Sequence, residues 1–551
     1  MVTQQQPLAI PDNFKITWDS PEDAARFWAA DLMHWPHGIS PLAGTMDVPA
    51  FIRGFNLAVQ DLCMPMRSVK FQMFNTYVYS SMEPWSYDQA EMEQRMQQMQ
   101  VEMMKHIPGL VERWDNEYEP EVRALNDETL NGDYAALSDR DLSALLEKLT
   151  VKREREGHLH FLSVLPAMGA VAFFEEVYTN LFGPPKGGEH YQLLQGFRNK
   201  SVEAGDELWH LSAEARRRPQ VMTVLRGMPP AQVDAALASV EGGPAFRDAV
   251  SEYTKKYGWR ANEFDIAEVT WRENPAPVYA LVREYATRDD YDPEEDFKSL
   301  VAAREARVNA LVQKVAGGPV ELFKQSLGFA QQYLPIQENH NFWIDQQGTS
   351  VQRVPTLEAG RRLVTAGRID DVNDVYQLEY DELQDALRGG TGDLRQLVAR
   401  RRSERANYQA MTPPAAIGTP LPPDAPADPT LAKFFGAPPE QHPDPRILNG
   451  NAASPGKVTG VARVIPSLET ADRLKRGEIL VCPATMPPWT PLFALAAAVV
   501  TDHGGVLSHT AIVAREYRIP AVLGTKVGMS LIKDGQTITV DGTEGTVTLE
   551  S

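Results

Sequence analysis

The chain has 551 residues, 43% apolar and 23% charged, an ordinary globular composition with enough length for two to four domains at roughly 100–200 residues each. Lys plus Arg total 54 against 74 Asp plus Glu, a net charge of -20, which excludes the basic footprint of a nucleic-acid binder and attraction to an anionic membrane surface. The two cysteines, Cys63 and Cys482, cannot build a disulfide framework or a cysteine metal site. The longest apolar run, around Leu492–Val500, is about half a membrane span. Met1–Asp12 lacks a basic segment followed by an apolar one, so no signal peptide is expected, and the expected location is the cytoplasm.

Residues 1–410 read as mostly helical. Asp141–Glu154 sets Leu142, Leu145, Leu146 and Leu149 at helical spacing. Ser201–Arg217, Pro230–Val240, Arg361–Ala366 and Asp371–Leu387 read the same way. A strand-like run at Tyr77–Tyr79 interrupts them. Residues 411–446 hold eleven of the 41 prolines, which precludes a helix and predicts an extended, semi-rigid linker or hinge. Residues 447–551 switch to short strands and helices: strands at Lys457–Ile465, Glu478–Cys482 and Ala496–Thr501, a helix at Ser508–Tyr517, and a hairpin over Thr537–Leu549 around Asp541-Gly542. From Asn451 onward there are nine basic and nine acidic residues, so the whole charge excess lies in 1–450. The expected fold class is a mainly α N-terminal domain followed by a C-terminal α/β domain.

Chemistry concentrates in Thr501–Gly524 (TDHGGVLSHTAIVAREYRIPAVLG). A strand runs into Gly504-Gly505, which permit a tight turn and close ligand approach. Ser508 is a natural helix N-cap, which puts His509 in the first turn, beside Thr510. The positive end of a helix favours a neutral, nucleophilic ring and stabilises negative charge placed on it. Strand, glycines, helix start and histidine together describe a covalent phosphohistidine site; an isolated histidine here is otherwise a cap or surface residue.

The stretch resembles the signature of the swivelling phosphohistidine domain of the phosphoenolpyruvate-utilising enzymes (the dikinase family). The shared residues are Gly504, Gly505, Ser508, His509, Thr510, Ala511, Ala514 and Arg515. Ser454-Pro455-Gly456, Gly477–Val481, Pro487–Pro491, Ile519–Val522 and Asp541-Gly542 extend the likeness across the domain. Leu507 departs from it, standing where the dikinases carry a threonine that helps position the histidine. The helical region resembles the substrate-binding domain of rifampicin phosphotransferase-like enzymes through Trp35–Leu42, Leu193–Ser201, Tyr257–Asp265, Trp271–Pro275 and Glu338–Asp345. Relatives of this kind include two-subunit enzymes that phosphorylate phenolic hydroxyls.

The resemblance implies an ATP-dependent phosphotransferase acting through His509. No glycine-rich phosphate loop and no phosphoenolpyruvate-binding barrel is legible in residues 1–450. ATP and Mg²⁺ are therefore expected on a separate ATP-grasp subunit, with no tightly bound cofactor in this chain. The expected acceptor is a small hydroxylated, aromatic compound; pyruvate chemistry, a non-catalytic phosphocarrier and inactivation of a bulky antibiotic are the alternatives. Transfer to a hydroxyl needs a base and groups that hold phosphoryl oxygens. His340, in the polar knot Glu338–Asn341, is the candidate base and Glu263 the alternative. Arg260 is the candidate phosphoryl clamp, and Asp265, Glu338 and Lys200 are further polar candidates. Phe74, Tyr77 and Tyr79 are candidates to line an aromatic pocket, or else are core. Arg515, six residues past His509, is expected to face away as a structural or docking residue. His158 and His160, two apart, point to opposite sides of a helix, and no metal site is expected.

Overall fold

The computed structural model describes residues 7–550 except 186, 288–291, 316, 422–432, 434, 437–439 and 441. Much of the proline-rich segment expected as a linker thus lies outside the described residues. The chain forms two compact units. One comprises residues 1–166, 263–268 and 343–427; the other 167–262, 269–342 and 428–551. The units are drawn differently from the linear 1–410, 411–446 and 447–551 segments, because the α/β domain shares its unit with helical segments from the middle of the chain.

The first unit combines helices with a four-stranded sheet of order β2-β3-β1-β4, formed by β1 (Phe27–Ala30), β2 (Met66–Phe74), β3 (Tyr77–Pro84) and β4 (Ala416–Gly418). Only a fragment of this sheet was legible as strand. The β2–β3 hairpin turns on Asn75 and Thr76, both at positive φ (51° and 74°), with Phe74 opposite Tyr77. A two-residue turn with both φ values positive matches the twist of paired strands, but Asn-Thr lacks the glycine that normally marks it. Phe74, Tyr77 and Tyr79 pack with Phe14, Trp28 and Ile417. Trp28 meets Phe74 edge to face at 5.6 Å. The buried hydroxyls are satisfied: Tyr77 donates to the carbonyls of Tyr408 and Met411, Tyr79 to that of Pro414 at 2.8 Å. These rings are hydrophobic core.

The helix Val48–Asp61 crosses the long helix Asp139–Phe182 at two glycines. A Cβ on Gly54 would lie 2.1 Å from the Glu154 carbonyl oxygen, and one on Gly157 2.2 Å from that of Phe51. Close backbone approach at this crossing therefore requires both glycines. Asp139–Phe182 is long and apolar enough to cross a membrane by length and composition. Its apolar positions, such as Leu142, Leu146, Leu149 and Phe174, are buried within protein, as in a core helix. It also carries the buried ion pairs Lys152–Glu156 (2.7 Å) and Arg153–Asp47 (2.8 Å). The boundary between the units falls at Pro166, inside this helix, where the missing N–H removes one rung of the ladder.

The expected continuous helix over Asp371–Leu387 is two elements, a 3₁₀ turn Val372–Gln377 and a helix Tyr380–Leu387. Asp371 and Glu379 each open a capping box with the acidic residue three positions on. Two N-terminal caps in one periodic stretch divide it.

The second unit joins helices between Lys200 and His340 to an eight-stranded sheet of order β5-β12-β11-β7-β8-β9-β10-β6. Its strands are β5 (Ile447–Asn449), β6 (Asn451–Ser454), β7 (Lys457–Val464), β8 (Ile479–Cys482), β9 (Ala498–Thr501), β10 (Ala521–Leu523), β11 (Thr537–Asp541) and β12 (Thr546–Leu549). Strands β7 to β10 are parallel neighbours; the outer pairings are antiparallel. β8 and β9 are buried at every residue, as parallel strands covered on both faces must be. Residues 447–550 thus form the α/β domain expected from the sequence. Phe74→Ala should lower stability by about 3–5 kcal/mol, as truncation of a buried phenylalanine does, measured by urea unfolding; a normally stable variant would overturn the core assignment.

Candidate functional site

β9 ends at Thr501, and the chain then passes through Gly504 and Gly505 into the helix His509–Glu516. The site therefore lies at the carboxyl end of a central parallel strand, where open α/β sheets place their ligands. Gly504 has φ of 105°, a conformation that requires glycine. A Cβ on Gly505 would lie 2.1 Å from the Lys433 carbonyl oxygen, and that same oxygen accepts the Leu507 N–H at 3.0 Å. The glycine pair thus lets backbone pack against the loop. Leu507 is buried, and its carbonyl accepts the Tyr333 hydroxyl at 2.6 Å. The loop is held through its backbone, although Leu507 has no side-chain hydroxyl to offer.

His509 is 8% exposed. Its Nδ1 lies 3.1 Å from Oε1 of Glu338, and its Nε2 lies 3.2 Å from the Thr490 hydroxyl. A carboxylate only accepts, so Nδ1 carries the proton and donates it to Glu338. Nε2 then holds the lone pair and accepts from Thr490. Glu338 also accepts the Ser201 hydroxyl on its other oxygen. Burial alone would raise the Glu338 pKa, but its interactions with His509, the Ser201 hydroxyl and nearby His340 outweigh it and hold the carboxyl below its ordinary value. This is an oriented imidazole with its nucleophilic nitrogen defined by a carboxylate, the arrangement that fixes ring and tautomer in histidine catalysis.

The surrounding loops are stitched together. Asn199 caps the helix Lys200–Arg216 through the N–H groups of Ser201 and Val202. The Lys200 N–H donates to Asn339 at 3.0 Å, and its ammonium pairs with Glu203 at 2.7 Å. Thr510 accepts the Thr485 hydroxyl at 2.8 Å. Ser508 occupies the N-cap position, but its hydroxyl makes no capping bond and, among the described residues, has no hydrogen-bond partner although it is buried; the expected cap is absent. Arg515 is buried against the Ala453 and Val506 carbonyls and the Tyr191 ring, contacts that make it a structural residue.

Arg260 is buried in the same unit, donates to the Tyr257 carbonyl at 3.1 Å, and lies near the rings of Trp271 and Phe342. Desolvation lowers its pKa, against the charges of Tyr253 and Glu338. His340, on the helix Tyr333–His340 with Glu338, donates Nδ1–H to the Ile336 carbonyl at 2.7 Å. Glu263 and Asp265 belong to the other unit. There Glu263 pairs with His37, and Asp265 accepts the Ser40 N–H and hydroxyl at 2.6 and 2.7 Å. Burial raises the Glu263 pKa against the opposing His37 hydrogen bond. These two carboxylates anchor the Trp35–Leu42 segment.

Beside His509 is a cavity of about 60 Å³ lined by Ser201, Glu338, Thr490, Glu516 and Tyr517, among others. Sequence reasoning did not single out Ser201, Thr490 or Glu516. Ser201 and Thr490 stood inside segments noted for resemblance, but a lone hydroxyl carries no periodic signal. Glu516 is seven residues past His509, two helical turns, and that spacing was the available clue.

Residues 160–338 match the family described as the rifampicin phosphotransferase fourth domain, and residues 474–545 the mobile domain of PEP-utilising enzymes. Glu338 and Ser201 fall in the first and His509, Thr490 and Glu516 in the second. The fold and site therefore define a histidine-bearing mobile domain with a helical companion. Over 99% of its length the chain is 33% identical to chondramide synthase cmdD of Chondromyces crocatus, covering 14% of that protein. It is 28% identical to the uncharacterized phosphotransferase YvkC of Bacillus subtilis over 96% of this chain and 62% of that one, and 32% identical to a rifampicin phosphotransferase of a Streptomyces species over 64% and 40%. The chain is thus similar to rifampicin phosphotransferases and, over residues 474–545, to the mobile domain of PEP-utilising enzymes. It spans between 14 and 62% of the length of these relatives.

A carboxyl whose pKa is lowered on folding adds stability above its ordinary value, 4.5 for Glu338, and loses it as pH falls through the lowered one. Glu338→Gln should cost about 1–3 kcal/mol at neutral pH and flatten the acid limb of the melting-temperature profile. An unaltered acid limb would place the Glu338 carboxylate outside the network.

Proposed function

We propose that this chain is a phosphotransferase that carries a phosphoryl group on Nε2 of His509 and passes it to an organic hydroxyl. The observation that carries this reading is the buried His509, its Nδ1–H fixed by Glu338 and its Nε2 turned to Thr490 at the edge of a cavity. Two relatives, a rifampicin phosphotransferase and an uncharacterized phosphotransferase, support the class of reaction.

In the docked arrangement Nε2 is covered, so loading takes place after His509 leaves the Glu338 contact. The donor is ATP with Mg²⁺, bound by a separate nucleotide-binding subunit, and the setting is the cytoplasm. On return, the Glu338 carboxylate holds Nδ1–H, so that the ring leaves phosphorus as a neutral imidazole. Arg260, which feels the charge of Glu338, offsets phosphoryl charge. A small phenol is the acceptor that best suits a cavity of this size with apolar walls, among them Leu300, Leu334 and Ile512.

The purified chain should acquire an acid-labile phosphoryl group when incubated with ATP, Mg²⁺ and lysate of its host, detected by intact-mass spectrometry. His509→Ala should abolish it. Absence of labelling with either ATP or phosphoenolpyruvate would refute the carrier reading.

A further inference from the structure

Backbone carbonyls at Gly505, Val506 and Leu507 precede the helix that carries His509, and they are satisfied from different sides. The Gly505 carbonyl accepts the Ser508 N–H at 3.1 Å, and the Val506 carbonyl accepts the Arg515 guanidinium at 2.9 Å. Both donors belong to the α/β domain itself. The Leu507 carbonyl is different. Leu507 is 1% exposed, and among the described residues its carbonyl is reached by one donor, the Tyr333 hydroxyl at 2.6 Å. Tyr333 stands outside that domain, on the helix Tyr333–His340 of the helical companion.

Tyr333 is 2% exposed, and burial raises its pKa above the ordinary phenol value, so the hydroxyl keeps its proton. A carbonyl only accepts, which gives the bond one direction. Glu338 lies five positions further along the same helix, about 7.5 Å of rise, and holds Nδ1 of His509 at 3.1 Å. One helix therefore grips the site at two points, the ring at 509 and the main chain at 507. The two contacts have different effects. The Glu338 bond alone fixes one ring nitrogen and leaves the ring free to swing about it. With the main chain two residues earlier also fixed, the direction of Nε2 is set.

We propose that Tyr333 is a positioning residue for the discharge of His509: its hydroxyl fixes the Leu507 main chain, so that the histidine is aligned for transfer only while the α/β domain is docked. The inference rests on the reading of His509 as phosphoryl carrier. In the transfer the acceptor oxygen forms the O–P bond as the P–Nε2 bond breaks. The electron pair of the broken bond returns to Nε2, and the acceptor's hydroxyl proton passes to solvent. Tyr333 touches none of these atoms. It acts through the main chain between Leu507 and His509, by holding the in-line direction along which the acceptor must approach. When the domain leaves to be loaded, the Leu507 carbonyl exchanges the tyrosine for water and the alignment is released. Loading is thus indifferent to Tyr333, whereas discharge depends on it.

The test compares the full chain with Tyr333→Phe, which removes the hydroxyl and keeps the buried ring; melting temperatures check that the fold is retained. Loading is followed as the rate at which each protein acquires label from ATP, Mg²⁺ and host lysate. Discharge is followed separately, on labelled and repurified protein, as loss of label to phenol. The variant should load at the wild-type rate and keep the wild-type KM for phenol. Its discharge should be about 10–10²-fold slower, the consequence of a misaligned reacting group. A third readout needs neither label nor acceptor. In protein carrying ¹⁵N-histidine, the His509 Nδ1 proton resonates far downfield while bonded to Glu338, and it should move upfield in Tyr333→Phe although Glu338 is unchanged. Discharge at the wild-type rate, or an unshifted Nδ1 proton, would overturn the inference. Equal losses in loading and discharge would also overturn it, since they would make Tyr333 a structural residue only. If the wild type itself keeps its label in phenol, the acceptor reading fails and the Nδ1 proton alone decides the role of Tyr333. Failure of the wild type to take label at all is a different result and refutes the carrier reading itself.

Discussion

The contact between Glu338 and His509 is the constraint around which the second unit is arranged. A buried carboxylate is tolerable only when its lone pairs and charge are answered. Glu338 meets that condition with the ring proton of His509 on one oxygen and the Ser201 hydroxyl on the other. The same bond decides which nitrogen of His509 is nucleophilic. Stability and reactivity thus share one hydrogen bond, and disturbing the partner on the helical side alters the chemistry on the sheet side.

Everything near this contact serves to hold a backbone in place. Tyr333, one and a half turns before Glu338 on the same helix, grips the loop at the Leu507 carbonyl. Lys433 takes the Leu507 N–H and passes where only a glycine at 505 allows it. Asn199 starts the helix that delivers Ser201. The loop can therefore dispense with a hydroxyl at position 507, because its position is fixed through main-chain groups on both sides of that residue.

The distribution of charge follows a consistent logic. The α/β domain is neutral over its last hundred residues, while the acidic excess belongs to residues 1–450. Where the two meet, within one unit, carboxylates line the cavity beside the histidine. Arg260, buried and near Glu338, supplies positive charge from outside the lining.

Local sequence determined the α/β domain almost element by element. β7, β8, β9, the His509 helix and the β11–β12 hairpin all fall within a residue or two of the periodic runs that announce them. Glycine spacing, alternation and the helix start are short-range properties, so the placement of His509 on a loop at a strand end was legible as well. The β2–β3 hairpin was largely hidden because Asn75 and Thr76 adopt left-handed conformations without a glycine, and the Asp371–Leu387 helix was overcalled because two capping boxes divide a stretch with one hydrophobic period. Only the tertiary structure decided the partners. Glu338 meets His509 across 171 residues of chain, Tyr77 and Tyr79 turn their hydroxyls to carbonyls over 330 positions away, and Glu263 and Arg260, three positions apart, belong to different compact units. Such pairings depend on how buried polar groups are satisfied in three dimensions, a condition that periodicity along a single chain does not record.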